Sequence, residues 1–117
     1  LEHYRAELKK DGILSATDLR RVPNGSRVMT AGAVFVRQRP GTAKGFVFLT
    51  LEDETGLSQA IVNPQLFADP EQRTTILTNS GLIVEGIVQN GEGQASVRAE
   101  KFWPLEGLHD VQTHDFH

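Results

Sequence analysis

From Arg27 onward the chain alternates with a period of two. Val28, Thr30, Gly32, Val34 and Val36 share one parity, and Met29, Ala31, Ala33, Phe35 and Arg37 share the other. Both sets are largely apolar, which predicts a long strand, bent at a bulge or kink at Gly32 and shared by two sheets at a barrel corner. A second alternating run, about 45–52, carries Phe46 and Phe48 on one face and Val47, Leu49 and Leu51 on the other. Glu54-Thr55-Gly56 turns the chain into a third strand over 57–62. Asn63-Pro64 ends that strand and opens a helix predicted over 65–78, closed by Asn79-Ser80-Gly81. A fourth strand over 82–89 leads through Asn90-Gly91-Glu92-Gly93 into a fifth over 95–102.

Ahead of these strands, Tyr4, Leu8 and Ile13 lie at helical spacing with a stop at Asp11-Gly12. Ser15 and Asp18 form an N-cap pair for a second short helix through Arg21, which Pro23-Asn24-Gly25 breaks. The order is three strands, a helix, then two strands. That order predicts an all-β domain: a five-stranded OB-fold Greek-key barrel with one helix between strands 3 and 4 and a short N-terminal helical lead-in. The expected division is lead-in 1–25, barrel 26–106 and a flexible polar tail 107–117.

Phe46 and Phe48 occupy the side of their strand where hydroxyls and charges normally meet water. Aromatic rings beside cations suit a single-stranded nucleic acid, whose bases stack and whose phosphates pair with positive charge. Arg37, Arg39 and Lys44 bracket the loop next to those rings, with Arg27 upstream, and are the candidate phosphate contacts. Gln59 is a candidate base contact, and Lys101 a candidate extension of the basic face. The blander reading covers the two rings with a second apolar layer and leaves the loop cations solvated, as Arg20-Arg21 are expected to be.

Net charge works against this reading. It is −3 over 117 residues, whereas free-standing nucleic-acid binders are usually basic. Affinity follows local charge, however, and the acids lie elsewhere, at 52–54, 69–71 and in the tail. The expectation is weak, salt-sensitive binding by a module tethered to something larger. A chain that opens on Leu1 rather than Met agrees with a piece of a longer protein.

Hydrophobic content of 38% and charged content of 23% fit one folded domain with one core. Cysteine is absent, which removes disulfides, thiol catalysis and thiolate metal sites. No apolar run approaches membrane-spanning length and no secretory signal pattern is present, so a cytoplasmic protein without membrane partners is expected. Glu52, Asp53 and Glu54 point in alternating directions along a strand end, which suits convergent Mg²⁺ ligation poorly. Asp53 instead suits acceptance of backbone N–H groups in the turn that ends at Gly56. His3, His109, His114 and His117 all lie in the end segments, and no Ser/His/Asp set has a supporting motif. No catalytic or metal-ligating residue is assigned, and Trp103 is expected to plug the barrel's end.

Residues 34–56, VFVRQRPGTAKGFVFLTLEDETG, resemble the C-terminal OB domain of bacterial family C DNA polymerases, most closely the error-prone, damage-inducible branch. LIVEG at 82–86, HDFH at 114–117 and the lead-in HYRAELKKDGILSATDL are similar to the same branch. The resemblance implies a non-catalytic module of a bacterial translesion polymerase, lying near single-stranded DNA. Polymerase chemistry and its Mg²⁺ would then belong to other domains, and this domain would need no cofactor. Translesion accessory proteins, a Y-family-like partner and a RecA-like protein, are the protein partners so implied. The wider fold family includes anticodon-binding domains of class II aminoacyl-tRNA synthetases. Similarity to their second strand would place Phe48 where a ring stacks on a base and Gln59 where a side chain bonds one.

Overall fold

The computed structural model describes residues 12–41, 44–91 and 94–105. The helix expected around Tyr4 and Leu8, Thr42 of the loop, Glu92 and Gly93 of the last turn, and the tail with its histidines lie outside the described residues.

Among the described residues, six strands and three short helices follow in order: β1 (Ile13–Leu14), α1 (Ala16–Leu19), β2 (Arg27–Gln38), β3 (Val47–Asp53), β4 (Gly56–Val62), α2 (Pro64–Ala68), α3 (Pro70–Thr78), β5 (Gly81–Val88) and β6 (Ala95–Pro104). β2, β3 and β4 form an antiparallel meander, β4 pairs with β6 in parallel, and β6 pairs with β5 antiparallel. A final β5–β2 pairing closes the five strands into a barrel. This is the OB architecture expected from the element order, with the short strand β1 added in parallel to β2.

β2 serves two neighbours. Arg27 to Ala33 pair with β5, and Ala33 to Gln38 pair with β3. Where the strand changes partner, a Cβ on Gly32 would stand 2.9 Å from the Glu52 carbonyl oxygen and 3.0 Å from the Leu51 Cβ. Gly32 therefore permits a close crossing of two strands. Of the bulge or kink expected at Gly32, the bulge lies instead between Val34 and Val36, where Phe35 is extruded from the ladder and left 65% exposed. The two steric demands of the corner fall on two positions because strand crossing needs missing volume and the bulge needs an extra residue.

The two apolar faces of β2 are explained by two clusters. Its inward side contributes Val28 to the barrel interior, where Leu49, Leu51, Val62, Ile76, Leu82, Val84, Val97 and Phe102 are all essentially inaccessible. On its outer side Ala31 packs with Ile13 and Leu105, flanked by Met29 and Ile83. Ile13 thus belongs to strand β1 rather than to the helix its spacing suggested; pairing with Met29 turns it onto the barrel wall.

α1 forms as expected, with a capping box between Ser15 and Asp18, and its Leu19 reaches the main core. The single helix expected over 65–78 is two. Asn63 caps α2 by accepting from Leu66 N at 2.8 Å, and Asp69 caps α3 by accepting from Glu71 N at 3.0 Å. Asp69 precedes Pro70, whose ring disfavours helical backbone at the residue before it, and Asp69 is accordingly extended at ψ 117°. α3 is fastened to β6 by Gln72, which accepts from Phe102 N at 2.7 Å and donates to Phe102 O at 3.4 Å. Phe102 fills the core, while Trp103, expected as the plug, is only half-buried and points the other way along the strand.

A second close crossing occurs at Gly86, where an added Cβ would lie 2.1 Å from the Arg98 carbonyl oxygen. The obstacle is backbone at a register shift between β5 and β6, so it cannot rotate away. Gly86→Ala should cost about 1–3 kcal/mol or more, typical of overpacking. A thermal melt of the variant should show a clearly lowered midpoint; an unchanged midpoint would contradict the crossing described here.

Candidate nucleic-acid interface

Strand register places the outward side chains in two rows across four strands. Gln38 pairs with Phe48, Phe48 with Ile61, and Ile61 with Arg98. In the adjacent row Val36 pairs with Thr50, Thr50 with Gln59, and Gln59 with Ser96. Phe48 therefore has an amide on one side and an aliphatic side chain on the other, with a guanidinium one strand further. Phe48, Ile61 and Gln59 are half-buried, whereas Gln38 and Arg98 are exposed. Beneath this layer Val47, Leu49 and Leu51 point into the barrel. Phe46 precedes β3 and is half-buried, two residues from Phe48 on the same alternation.

The sequence-predicted cations are distributed unevenly around this face. Arg37 pairs with Leu49, so it starts from the inward parity at the barrel's open end. Its Nε donates to the Ile76 carbonyl at 3.1 Å and its Nη2 to the Asn79 carbonyl at 2.7 Å. These are end carbonyls of α3, where a cation also complements the helix dipole. Arg37 thus ties the strand to the helix, with part of its guanidinium committed. Arg39 lies over the Phe67 ring of α2, 5.2 Å from its centroid, in cation–π contact. Lys44 is exposed and takes a left-handed conformation (φ 53°), followed by Gly45 at φ 90°; together they turn the loop into β3.

Lys101 stands apart from Phe48. It lies beyond an extra residue in β6, in register with Glu85, and its ammonium sits 5.0 Å from the Trp103 ring centroid. The cleft beside it also carries Asp69, Glu71 and Glu100, so its surroundings are acidic. Arg98, which sequence reasoning passed over, stands in the Phe48 row instead. Alternation along β6 signals that Arg98 faces outward; only the parallel β4–β6 pairing brings it to Ile61.

Two polar side chains, Asp53 and Asn90, hold local structure at the ends of the face. Asp53 accepts from Thr55 N at 2.7 Å, as the turn predicted, and also from Ala16 N at 2.8 Å, which anchors the start of α1. At the opposite loop Asn90 accepts from Ser96 N, donates to the Leu19 carbonyl at 2.8 Å, and exchanges bonds with Asn24. Both ends of the outer face are thereby braced against the lead-in.

A closed barrel with an aromatic and polar outer face across its central strands defines the OB class of binding domains. The chain belongs to the OB-fold nucleic acid binding domain family, whose model matches residues 19–105. Among curated relatives, error-prone DNA polymerase of Caulobacter vibrioides is 46% identical over 102 residues, covering 87% of this chain and 9% of that protein. The enzyme of the same name from Corynebacterium jeikeium is 50% identical over 94 residues, covering 80% of this chain and 8% of its own. That of Mycolicibacterium paratuberculosis is 45% identical over 115 residues, covering 98% and 10%. The chain thus spans about a tenth of the length of the relatives it matches. Among solved structures, asparaginyl-tRNA synthetase from Pyrococcus horikoshii is similar with a TM-score of 0.66 at 26% identity, over 80% of this chain and 23% of that one.

Strand parity can be tested by a crossed pair of variants. Leu49→Ala should cost about 2–5 kcal/mol of stability, because Leu49 is fully enclosed. Phe48→Ala, at a half-buried position, should cost clearly less stability than Leu49→Ala, leave the domain folded, and weaken oligonucleotide binding by about 1–3 kcal/mol. The reverse pattern would mean that the outer face assigned here is the core.

Proposed function

We propose that this domain is a non-catalytic module of a bacterial error-prone DNA polymerase and holds single-stranded DNA across β2, β3, β4 and β6. The observation that carries the reading is the outward row Gln38–Phe48–Ile61–Arg98, an aromatic ring flanked by a hydrogen-bonding amide and a cation. Phe48, with Phe46 behind it, would stack on bases, and Gln38 and Gln59 would bond base edges. Arg98, Arg39 and Lys44 would neutralise phosphates, with Arg37 contributing what its helix bonds leave free. Lys101, in acidic surroundings on β6, contributes least. Identity of 40–50% to error-prone polymerases over 80–98% of the chain supports a polymerase parent over a synthetase one. Templated DNA synthesis, its Mg²⁺ and a cytoplasmic setting are part of this proposal and would belong to the parent protein.

A second reading makes the domain a docking site for a translesion accessory protein. The observation favouring it is Phe35, 65% exposed at the β2 bulge and outside the Phe48 row. A titration with labelled oligo-dT at several salt concentrations separates the two. Three or four phosphate contacts should give a log–log salt slope of about −2 to −3, at roughly 0.7 per phosphate neutralised. Arg98→Ala should make that slope shallower by about 0.7. Undetectable binding at low salt would remove the first reading and leave the second.

A further inference from the structure

At the end of the barrel, beside the face just described, lies a cleft of about 220 Å³. Its floor is Val47 and Phe67 with Leu77 at the rim, and three guanidiniums, Arg37, Arg39 and Arg73, surround it. No carboxylate lines it among the described residues. Leu77 is 50% exposed and adds apolar surface at the edge of the cleft. The cleft is smaller than the roughly 300–1,000 Å³ of drug-sized sites, and so suits one compact ligand unit. An apolar floor under a cationic rim matches a flat base joined to an anionic phosphate.

Gln38 settles which occupant the surroundings favour. It lines the cleft and is also the register partner of Phe48, so cleft and outer face share a wall. A strand stacked on Phe48 that continues past Gln38 arrives at the three arginines. We propose that the cleft seats one further nucleotide of the bound strand, its base against the Val47 and Leu77 side, next to the Phe67 ring that Arg39 covers, and its phosphate on the arginines. This extends the single-stranded DNA reading given above and rests on it. The strand would then turn from the sheet onto α3 rather than run straight off the barrel edge.

Arg73 is the residue to test, since it is exposed on α3 and forms no part of the Phe48 face. Labelled oligo-dT of graded length, about 4 to 12 nucleotides, would be titrated against the full 117-residue chain, its Arg73→Glu and Arg73→Lys variants, and Phe48→Ala. Matched thermal melts would establish that each variant is folded. The expected result has three parts. Phe48→Ala weakens all lengths; Arg73→Glu weakens only the longer oligonucleotides and makes their salt slope shallower by about 0.7; Arg73→Lys restores the slope. If Phe48→Ala weakens binding while Arg73→Glu matches the parent at every length, the extension is wrong and the outer-face reading stands. If neither variant alters binding, both readings fall.

Discussion

Closure of the barrel requires β2 to pass its hydrogen bonds from β5 to β3 at Ala33, and the architecture depends on how that transfer is made. Two sheets can share one strand only if their backbones approach closely at the corner and the strand then bends. Gly32 supplies the approach by having no Cβ where Glu52 and Leu51 cross, and the extruded Phe35 supplies the bend. Gly86 repeats the device where β5 meets β6. With these crossings in place the interior becomes a single apolar volume, and the outer sheet from β2 to β6 becomes one continuous surface. Phe48 and Arg98 belong to that surface only because the barrel closes through the parallel β4–β6 pairing.

Polar side chains then hold the periphery in position. Gln72 fastens α3 to β6 through both backbone atoms of Phe102. Asp53 joins the β3–β4 turn to α1, and Asn90 joins the β5–β6 loop to Leu19 and Asn24. Arg37 closes the end carbonyls of α3. The Gln72 pair is buried, so its loss would leave the Phe102 backbone groups without a partner, which is worth more than the bonds' net contribution suggests. The helices thereby cap the barrel end at a defined distance from the loop after β2, and that distance creates the arginine-rimmed cleft.

Function is distributed accordingly. Cations two to seven residues apart have different duties: Arg37 at the end of β2 closes a helix, Arg39 lies on a phenylalanine ring, and the exposed Lys44 completes a left-handed turn. Their positive charge nevertheless remains on one side of a molecule whose net charge is −3. Local concentration of cations beside rings, rather than overall charge, is what a tethered binding module needs.

Period-two alternation alone determined the strands, their inward faces and the outward position of Phe48. Those follow from pleat geometry, which acts residue by residue. The order of elements was enough for the OB barrel, and the Ser15 cap was legible because it acts within one turn. Tertiary structure decided the rest. It set Ile13 in a strand, divided the helix at Asp69-Pro70, moved the bulge from Gly32 to Phe35, and turned Trp103 away from the core. It also set Arg98 in register with Ile61 and Lys101 with Glu85, and brought Arg73 and Arg39 to one cleft. Each of these depends on which distant strand or helix lies alongside, and that is set by closure of the barrel, a constraint that local pattern along the chain does not contain.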